Sequence, residues 1–315
     1  MLLRDYAITP DVFDETSYPH PTTCDAALRN LKDVLLSEGL VRDLRNGEWS
    51  RLFADNTRPW HRRGKELLKK LVQQKRVFPI EPLLPSSPSD DVAWCSEAVA
   101  THGVLPFTGG IVVTERVKTA FPGEDLVERI DRLGSARWWA GRSSSVRVRR
   151  DIEDYLEQLA PVLRRANSLM FIDPHLDPEK PRYRGFVRLL EAAGRRDPAP
   201  VIEIHRVCFE GPPRGRTFPM DGDPEYFRQR FRRPLEARVR AVGLRVEVFV
   251  WDDFHDRHLI TNLMGIQMGD GFDTSTVRNP VTTWSRLGRD TRDAIQREFD
   301  PRSGHHRLRD RFTIG

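Results

Sequence analysis

Between residues 168 and 251, three short apolar runs are separated by two longer amphipathic stretches, and this alternation constrains the fold more than any other feature of the chain. The runs are SLMFI (Ser168–Ile172), VIEIHRV (Val201–Val207) and LRVEVFVW (residues 244–251). Residues 183–193 and the Arg-rich residues 224–242, closed by Gly243, carry helical spacing between them. His258–Thr261 and Gly265–Met268 read as two further strands. Strands alternating with helices predict an α/β fold whose sheet is mainly parallel, with ligands held at the carboxyl ends of its strands.

The first part of the chain reads differently. Ala26, Leu28, Leu31, Val34 and Leu35 recur at helical spacing behind Pro21-Thr22-Thr23, and GKELLKKLVQQ (residues 64–74) is amphipathic. Residues 92–100 and 126–133 read as further helices, residues 77–89 as a Pro/Ser-rich loop, and GIVVT (residues 110–114) as the one clear buried strand. The expectation is an α-rich domain over residues 1–145, an α/β domain over 146–290, and a helix with a basic tail over 291–315. The Gly-, Ser- and Arg-rich stretch at residues 134–150 marks the boundary between the first two.

Candidate chemistry concentrates in WDDFHDRHLITNLMGIQMGDGFD, residues 251–273. His255 and Arg257 are two apart, so on an extended chain they share a face. A guanidinium supplies a permanent planar fork for a phosphate, and an imidazole beside it can donate, accept or attack. Gly269-Asp270-Gly271 then allows a tight backbone approach to whatever those side chains face. Asp173, leaving the first strand through Asp173-Pro174, lines the same strand-end crevice. Asp173-x-His175-x-Asp177 has metal-ligand spacing, but hard-metal sites need more oxygen ligands and Asp-Pro is an ordinary strand exit. No metal and no cofactor are therefore expected. Cys24, Cys95 and Cys208 are isolated, which excludes a cysteine-built zinc site and a disulfide framework.

The segment resembles the phospholipase D superfamily signature H-x-K-x4-D-x6-G-S-x-N. It reads His255-x-Arg257-x4-Asn262-x6-Gly269-Asp270-x-Phe272, with the spacing kept from the His to the Gly. The surrounding order, FIDP strand, helix, strand, Arg-rich helix, strand, His strand, is similar to one half of that fold over about residues 165–275. The wording F-H-D-R…G-x-G-[FL]-D is closest to the phospholipase-D-like C-terminal domain of MIT-containing proteins and its bacterial relatives, a non-catalytic subgroup.

The resemblance implies a phosphodiester-recognising protein, directed at nucleic acid as a nuclease or nuclease-like subunit, with a setting in defence against mobile elements. Activity would be metal-independent and run through a phospho-His intermediate. It would need His255 as nucleophile or acid/base, Arg257 on the phosphate and Asn262 in support. Gly269, Asp270, Gly271, Asp273, Asp173 and His175 would hold the substrate. The mechanism uses two motifs and the chain shows one, so catalysis implies a homodimer that brings two copies of His255 together. The departures weigh the other way. Asn262 cannot carry the charge that orients a partner imidazole, Asp270 repels phosphate, and Phe272 replaces an amide. They favour a non-catalytic module that keeps the fold and binds a protein partner or an anionic headgroup.

Other features have simpler readings beside functional ones. His258 faces away from His255 and reads as structural. The arginines at 228, 230, 232, 233, 238 and 240 scatter around a helix axis, as on a solvated face paired with Glu225 and Glu236, or as contacts to phosphates. Trp138 and Trp139 fit either burial or stacking on bases. The net charge of +5 is too small to name a partner. No run of about 20 apolar residues predicts a membrane span. The opening MLLRDYAITPDVFDETS lacks the basic and apolar regions of a secretion signal, and with the isolated cysteines this points to the cytoplasm.

Overall fold

A computed structural model describes residues 1–54, 58–211 and 214–315, and shows an α/β protein of two compact units. Unit 1 spans Leu3–Ser143 and unit 2 spans Ser144–Gly315, with Met1 counted in the first and Leu2 in the second.

Unit 1 is built on a parallel sheet. Its strands are β1 (Arg4–Ile8), β2 (Gly39–Asp43), β3 (Val77–Ile80), β4 (Ile111–Val113) and β5 (Val127–Arg129), in the order β3-β2-β1-β4-β5. All four pairings are parallel. The connections carry α1 (Pro21–Glu38), α2 (Leu44–Arg51), α3 (Arg62–Gln73), α4 (Asp91–Val104) and α5 (Glu115–Thr119), and α6 (Arg137–Ala140) follows the last strand. The helical expectations at 26–35, 64–74 and 92–100 fall on α1, α3 and α4. The α-rich description as a whole is corrected, because residues 77–80 are strand rather than loop, and residues 127–129 are strand where a helix was expected. The missed strands are short, and charge hides their pattern. Asp5 on β1 and Arg42 on β2 are both buried and pair at 2.6 Å. Arg42 also donates to Thr101 Oγ1 and to the Leu105 carbonyl, and Thr108 donates twice to Asp5. Such a pair survives burial because these further hydrogen bonds help replace the water that both charges have lost.

Unit 2 holds an eight-stranded sheet of β6 (Ser145–Arg149), β7 (Ser168–Ile172), β8 (Val201–Val207), β9 (Val246–Trp251), β10 (His258–Thr261), β11 (Gly265–Met268), β12 (Val281–Arg286) and β13 (Leu308–Ile314). The order is β13-β9-β8-β7-β10-β11-β12-β6. Only β7–β8 and β8–β9 are parallel, so the expectation of a mainly parallel sheet gives way to a mixed one. The helices of this unit are α7 (Ile152–Arg165), α8 (Phe186–Ala193), α9 (Tyr226–Ala241) and α10 (Arg289–Glu298).

The helices α7, α8 and α9 each bury the stripe their spacing dictates, whereas α10 buries no residue. Asp151 caps α7 by accepting from the Asp154 amide, and Tyr155, Leu159, Val162 and Leu163 face inward. On α9 the buried residues are Phe227, Phe231, Leu235 and Val239, four apart, which leaves the arginines outside. The basic tail is a further correction. Leu308–Ile314 closes the sheet as an edge strand antiparallel to β9, with Phe312 and Ile314 buried and Arg309 and Arg311 exposed. Among the described residues, no helix is long and apolar enough to cross a membrane.

Candidate functional site: the strand-end mouth of unit 2

β10 runs antiparallel to β7 with His258 opposite Ile172, so the chain entering β10 lies beside the chain leaving β7. β11 returns next to β10, and the Met268 amide donates to the Arg257 carbonyl. Asp173, Arg257 and the turn at 269–273 therefore converge at one end of three adjacent strands.

Asp173 is the centre of this mouth. Its fully buried carboxylate accepts from the His175 amide (2.9 Å), the Phe272 amide (3.1 Å) and the Tyr183 hydroxyl (3.2 and 3.3 Å). Burial pushes its pKa up, against those hydrogen bonds and the Arg257 charge. Gly271 has φ +71°, and a Cβ there would fall on Asp173 Oδ2. Glycine is required at this position both for its backbone angle and for the close approach.

Arg257 is about one-third exposed, and its Nε lies 4.0 Å from Asp173 Oδ1. His175 is half-buried against Phe209, its amide held by Asp173. Burial first, then the charges of Arg257, Arg182, Arg206 and Lys180, push its pKa down to about 4. Its imidazole is therefore neutral at pH 7 among cations, free to donate or accept.

The other expected residues take structural places. Asp270 pairs with Arg150 at 3.3 Å. Asp273 receives Arg150 at 2.6 Å, with Arg182 at 4.0 Å, and its carbonyl accepts from Tyr155. The Gly269 amide donates to the Thr283 carbonyl, and Phe272 is buried between Phe171 and Phe186.

Two corrections concern the supposed catalytic set. Asn262 lies at the far end of β10, where its Oδ1 accepts from the Asn167 and Ser168 amides at 2.7 and 3.3 Å. Five extended residues separate it from Arg257, roughly 16 Å, so it cannot assist there. His255 does not share a strand face with Arg257, because residues 252–257 form a loop and β10 begins at 258. The His255 side chain is 74% exposed and its nearest carboxylate, Asp253, is 3.9 Å away, beyond hydrogen-bond reach. No group fixes its orientation among the described residues.

Arg150, Arg182, Tyr183 and Arg206 also shape the mouth, and of these Arg182 and Tyr183 were not singled out from sequence. Arg206 is buried over the Phe227 ring and donates to the carbonyls of Val207, Leu176 and Phe209, with burial bringing its pKa down to about 10. Its position on the second run beside His205 was visible, but alternation does not reveal a buried guanidinium. His205 is buried too, stacked on Phe249 and accepting from Trp251 Nε1 at 3.1 Å. Three surface hollows of about 560, 680 and 650 Å³ lie along α9 and α10, and none is lined by His255 or Arg257.

Most arginines of α9 are matched. Arg228 pairs with Asp310, Arg230 with Asp177, Arg238 with Glu191 and Arg240 with Glu236. Trp138 and Trp139 pack on Tyr6 within unit 1 and are half-buried there.

Unit 1 has a strand-end crevice of its own. Its strand order reverses between β1 and β4, the place where open parallel sheets hold ligands. Asp11, just past β1, is buried and accepts from the Thr114 hydroxyl, just past β4. Its Oδ1 has no partner among the described residues, and burial raises its pKa. Nearby, Arg58 bridges Asp14 and Asp91, and Arg116 also binds Asp91. The reading of this part as helical concealed the crevice.

No protein-family model matches the chain, and no curated protein does. Among solved structures, TrmBL2, an archaeal chromatin protein described as showing a novel mode of DNA binding, aligns over 80% of this chain and 84% of that one. The identity is 9% and the TM-score 0.29, a likeness that carries no argument.

Proposed function

We propose that unit 2 is a phospholipase-D-like module that binds the phosphodiester backbone of nucleic acid without cleaving it, as a nuclease-like subunit. The observation that carries this reading is the state of Arg257. Its one neighbouring carboxylate among the described residues, Asp173, is 4.0 Å away, already accepts from three other groups, and is biased toward its neutral form by burial. The guanidinium thus keeps its charge and its fork for an anion at an open strand end, beside the neutral imidazole of His175.

Several features argue against turnover. A His nucleophile or acid needs a partner that fixes its ring and proton, and His255 has none within reach. Asn262 is occupied elsewhere, Asp270 is paired with Arg150, and Phe272 belongs to the core. The order strand, helix, strand, helix, strand, strand over β7 to β10 supports the superfamily resemblance.

A second reading rests on the exposure of His255. An imidazole that stands out from the loop can meet its counterpart in a second copy, and a homodimer would then supply the missing second motif.

One assay separates the readings. Purified protein, with chelator present, is incubated with labelled single-stranded DNA, double-stranded DNA and RNA, and both binding and cleavage are followed for wild type, Arg257→Ala and His255→Ala. The binding module predicts no cleavage, affinity weakened about tenfold by Arg257→Ala, and affinity unchanged by His255→Ala. Cleavage that disappears in His255→Ala supports the dimeric enzyme. Absence of oligonucleotide binding overturns both readings.

A further inference from the structure

The segment after α10 brings three metal-binding side chains together within nine residues. His306 Nε2 lies 2.7 Å from Glu298 Oε1, and His305 Nε2 lies 3.6 Å from the same oxygen. One ligand atom from each residue falls within 4.8 Å of the others. We propose that Glu298, His305 and His306 form a binding site for a divalent transition metal of the zinc class, completed by water.

The local structure is arranged for this convergence. Ser303 Oγ donates to the Glu298 carbonyl and accepts from the His305 amide, and the Ser303 amide donates to the Asp300 carbonyl. Gly304, at φ +67°, lets the chain turn back over the end of α10. His306 is mostly buried, with Phe299, Phe254 and Trp251 around its ring, so its Nε2 is held toward Glu298. His305 is 63% exposed, which leaves one side of the group open to water.

Distances fit the metal. Zinc bonds of about 2.0–2.2 Å to nitrogen and oxygen in tetrahedral geometry place ligand atoms roughly 3.3 Å apart. The two observed separations bracket that value. A His306–Glu298 hydrogen bond accounts for the first contact, and the second imidazole nitrogen stands 3.6 Å from the same oxygen, beyond hydrogen-bond range, so the three side chains converge on one point. Two imidazoles and one carboxylate suit zinc, nickel or cobalt better than magnesium or calcium, which favour all-oxygen sets.

Bound metal would tie the start of β13 to the end of α10. It would also stiffen the loop bearing His255, because Phe254 packs on Phe299 and His306, and the Asp252 amide donates to the Arg307 carbonyl. The site is independent of the phosphodiester reading and can be tested apart from it.

The full chain, stripped with chelator and dialysed, is titrated with Zn²⁺ by calorimetry, and with Co²⁺ by visible absorption. The expected result is one saturable equivalent and a thermal midpoint that rises with Zn²⁺. His306→Ala and Glu298→Gln should each weaken binding by at least about tenfold. His305→Ala changes an exposed side chain, leaves the fold intact, and should weaken binding by a similar factor. No saturable binding in wild type, or binding of equal strength in His305→Ala and in the His305→Ala/His306→Ala double variant as in wild type, overturns the proposal.

Discussion

The two units place opposite electrostatics at their strand ends. In unit 1 the crevice between β1 and β4 is acidic, and its carboxylates at Asp14 and Asp91 are already bridged by Arg58. In unit 2 the mouth between β7 and β10 holds a carboxylate too, but Asp173 spends its lone pairs on backbone amides and a tyrosine, and Arg257 is left over. Similar residue types thus serve different ends. Where an arginine satisfies an acid, charge cancels and the element is fixed. Where neutral donors satisfy the acid, the neighbouring cation stays available.

The first way to break this comparison is to remove a fixed pair in unit 1. Asp5→Ala leaves the fully buried Arg42 without its carboxylate, and a buried charge stripped of its partner costs about 3–5 kcal/mol. Chemical denaturation should show a loss of that size. A change below about 1 kcal/mol would mean that the pair is not what holds β1 to β2.

A somewhat smaller effect is expected in unit 2 from Gly271→Ala. The new methyl group meets Asp173 Oδ2 at a positive φ, and strain of this kind costs about 2–4 kcal/mol. The mouth should loosen with it, which hydrogen exchange of the Phe272 amide would report. An unchanged exchange rate would contradict the role given to Asp173.

The third test uses pH. The folded pKa of His175 is lowered to about 4 from an unfolded value near 6.5. Between those values the unfolded chain binds more protons, so the contribution to stability is complete above about pH 6.5 and is lost as pH falls toward 4. His175 is only half-buried, and solvent screening reduces the effect to about 1 kcal/mol. Urea denaturation across this range should show a steeper decline for wild type than for His175→Gln. Parallel declines would show that burial and the cations around the ring do not lower its pKa.

How much of this was readable from sequence depended on where the polar residues fell. The strands β7, β8 and β9 announce themselves because each is dominated by Val, Ile, Leu, Met, Phe and Trp, with polar residues interrupting only β8 and β9. β1 and β2 do not, because Asp5 and Arg42 occupy buried positions and break the apolar pattern. β13 carried a usable signal in the alternation of Leu308, Asp310, Phe312 and Ile314 with outward arginines, and a basic composition masked it. At the site, Asp173, Arg257 and Gly271 were legible and do come together. Asn262 and His255 were misplaced because motif spacing counts residues without fixing which of them lie in strand. That the arginines at 150, 182 and 206 belong to this mouth followed only once pairing brought β7, β8 and the 269–273 turn together.

The central claim is that Arg257 offers its charge to a phosphate at the mouth of unit 2. The most direct measurement is the salt dependence of oligonucleotide affinity for wild type and Arg257→Ala. Loss of one phosphate contact should lower the slope of log affinity against log salt by about one, with weaker binding at every salt concentration. Identical slopes and affinities for the two proteins would show that Arg257 touches no phosphate.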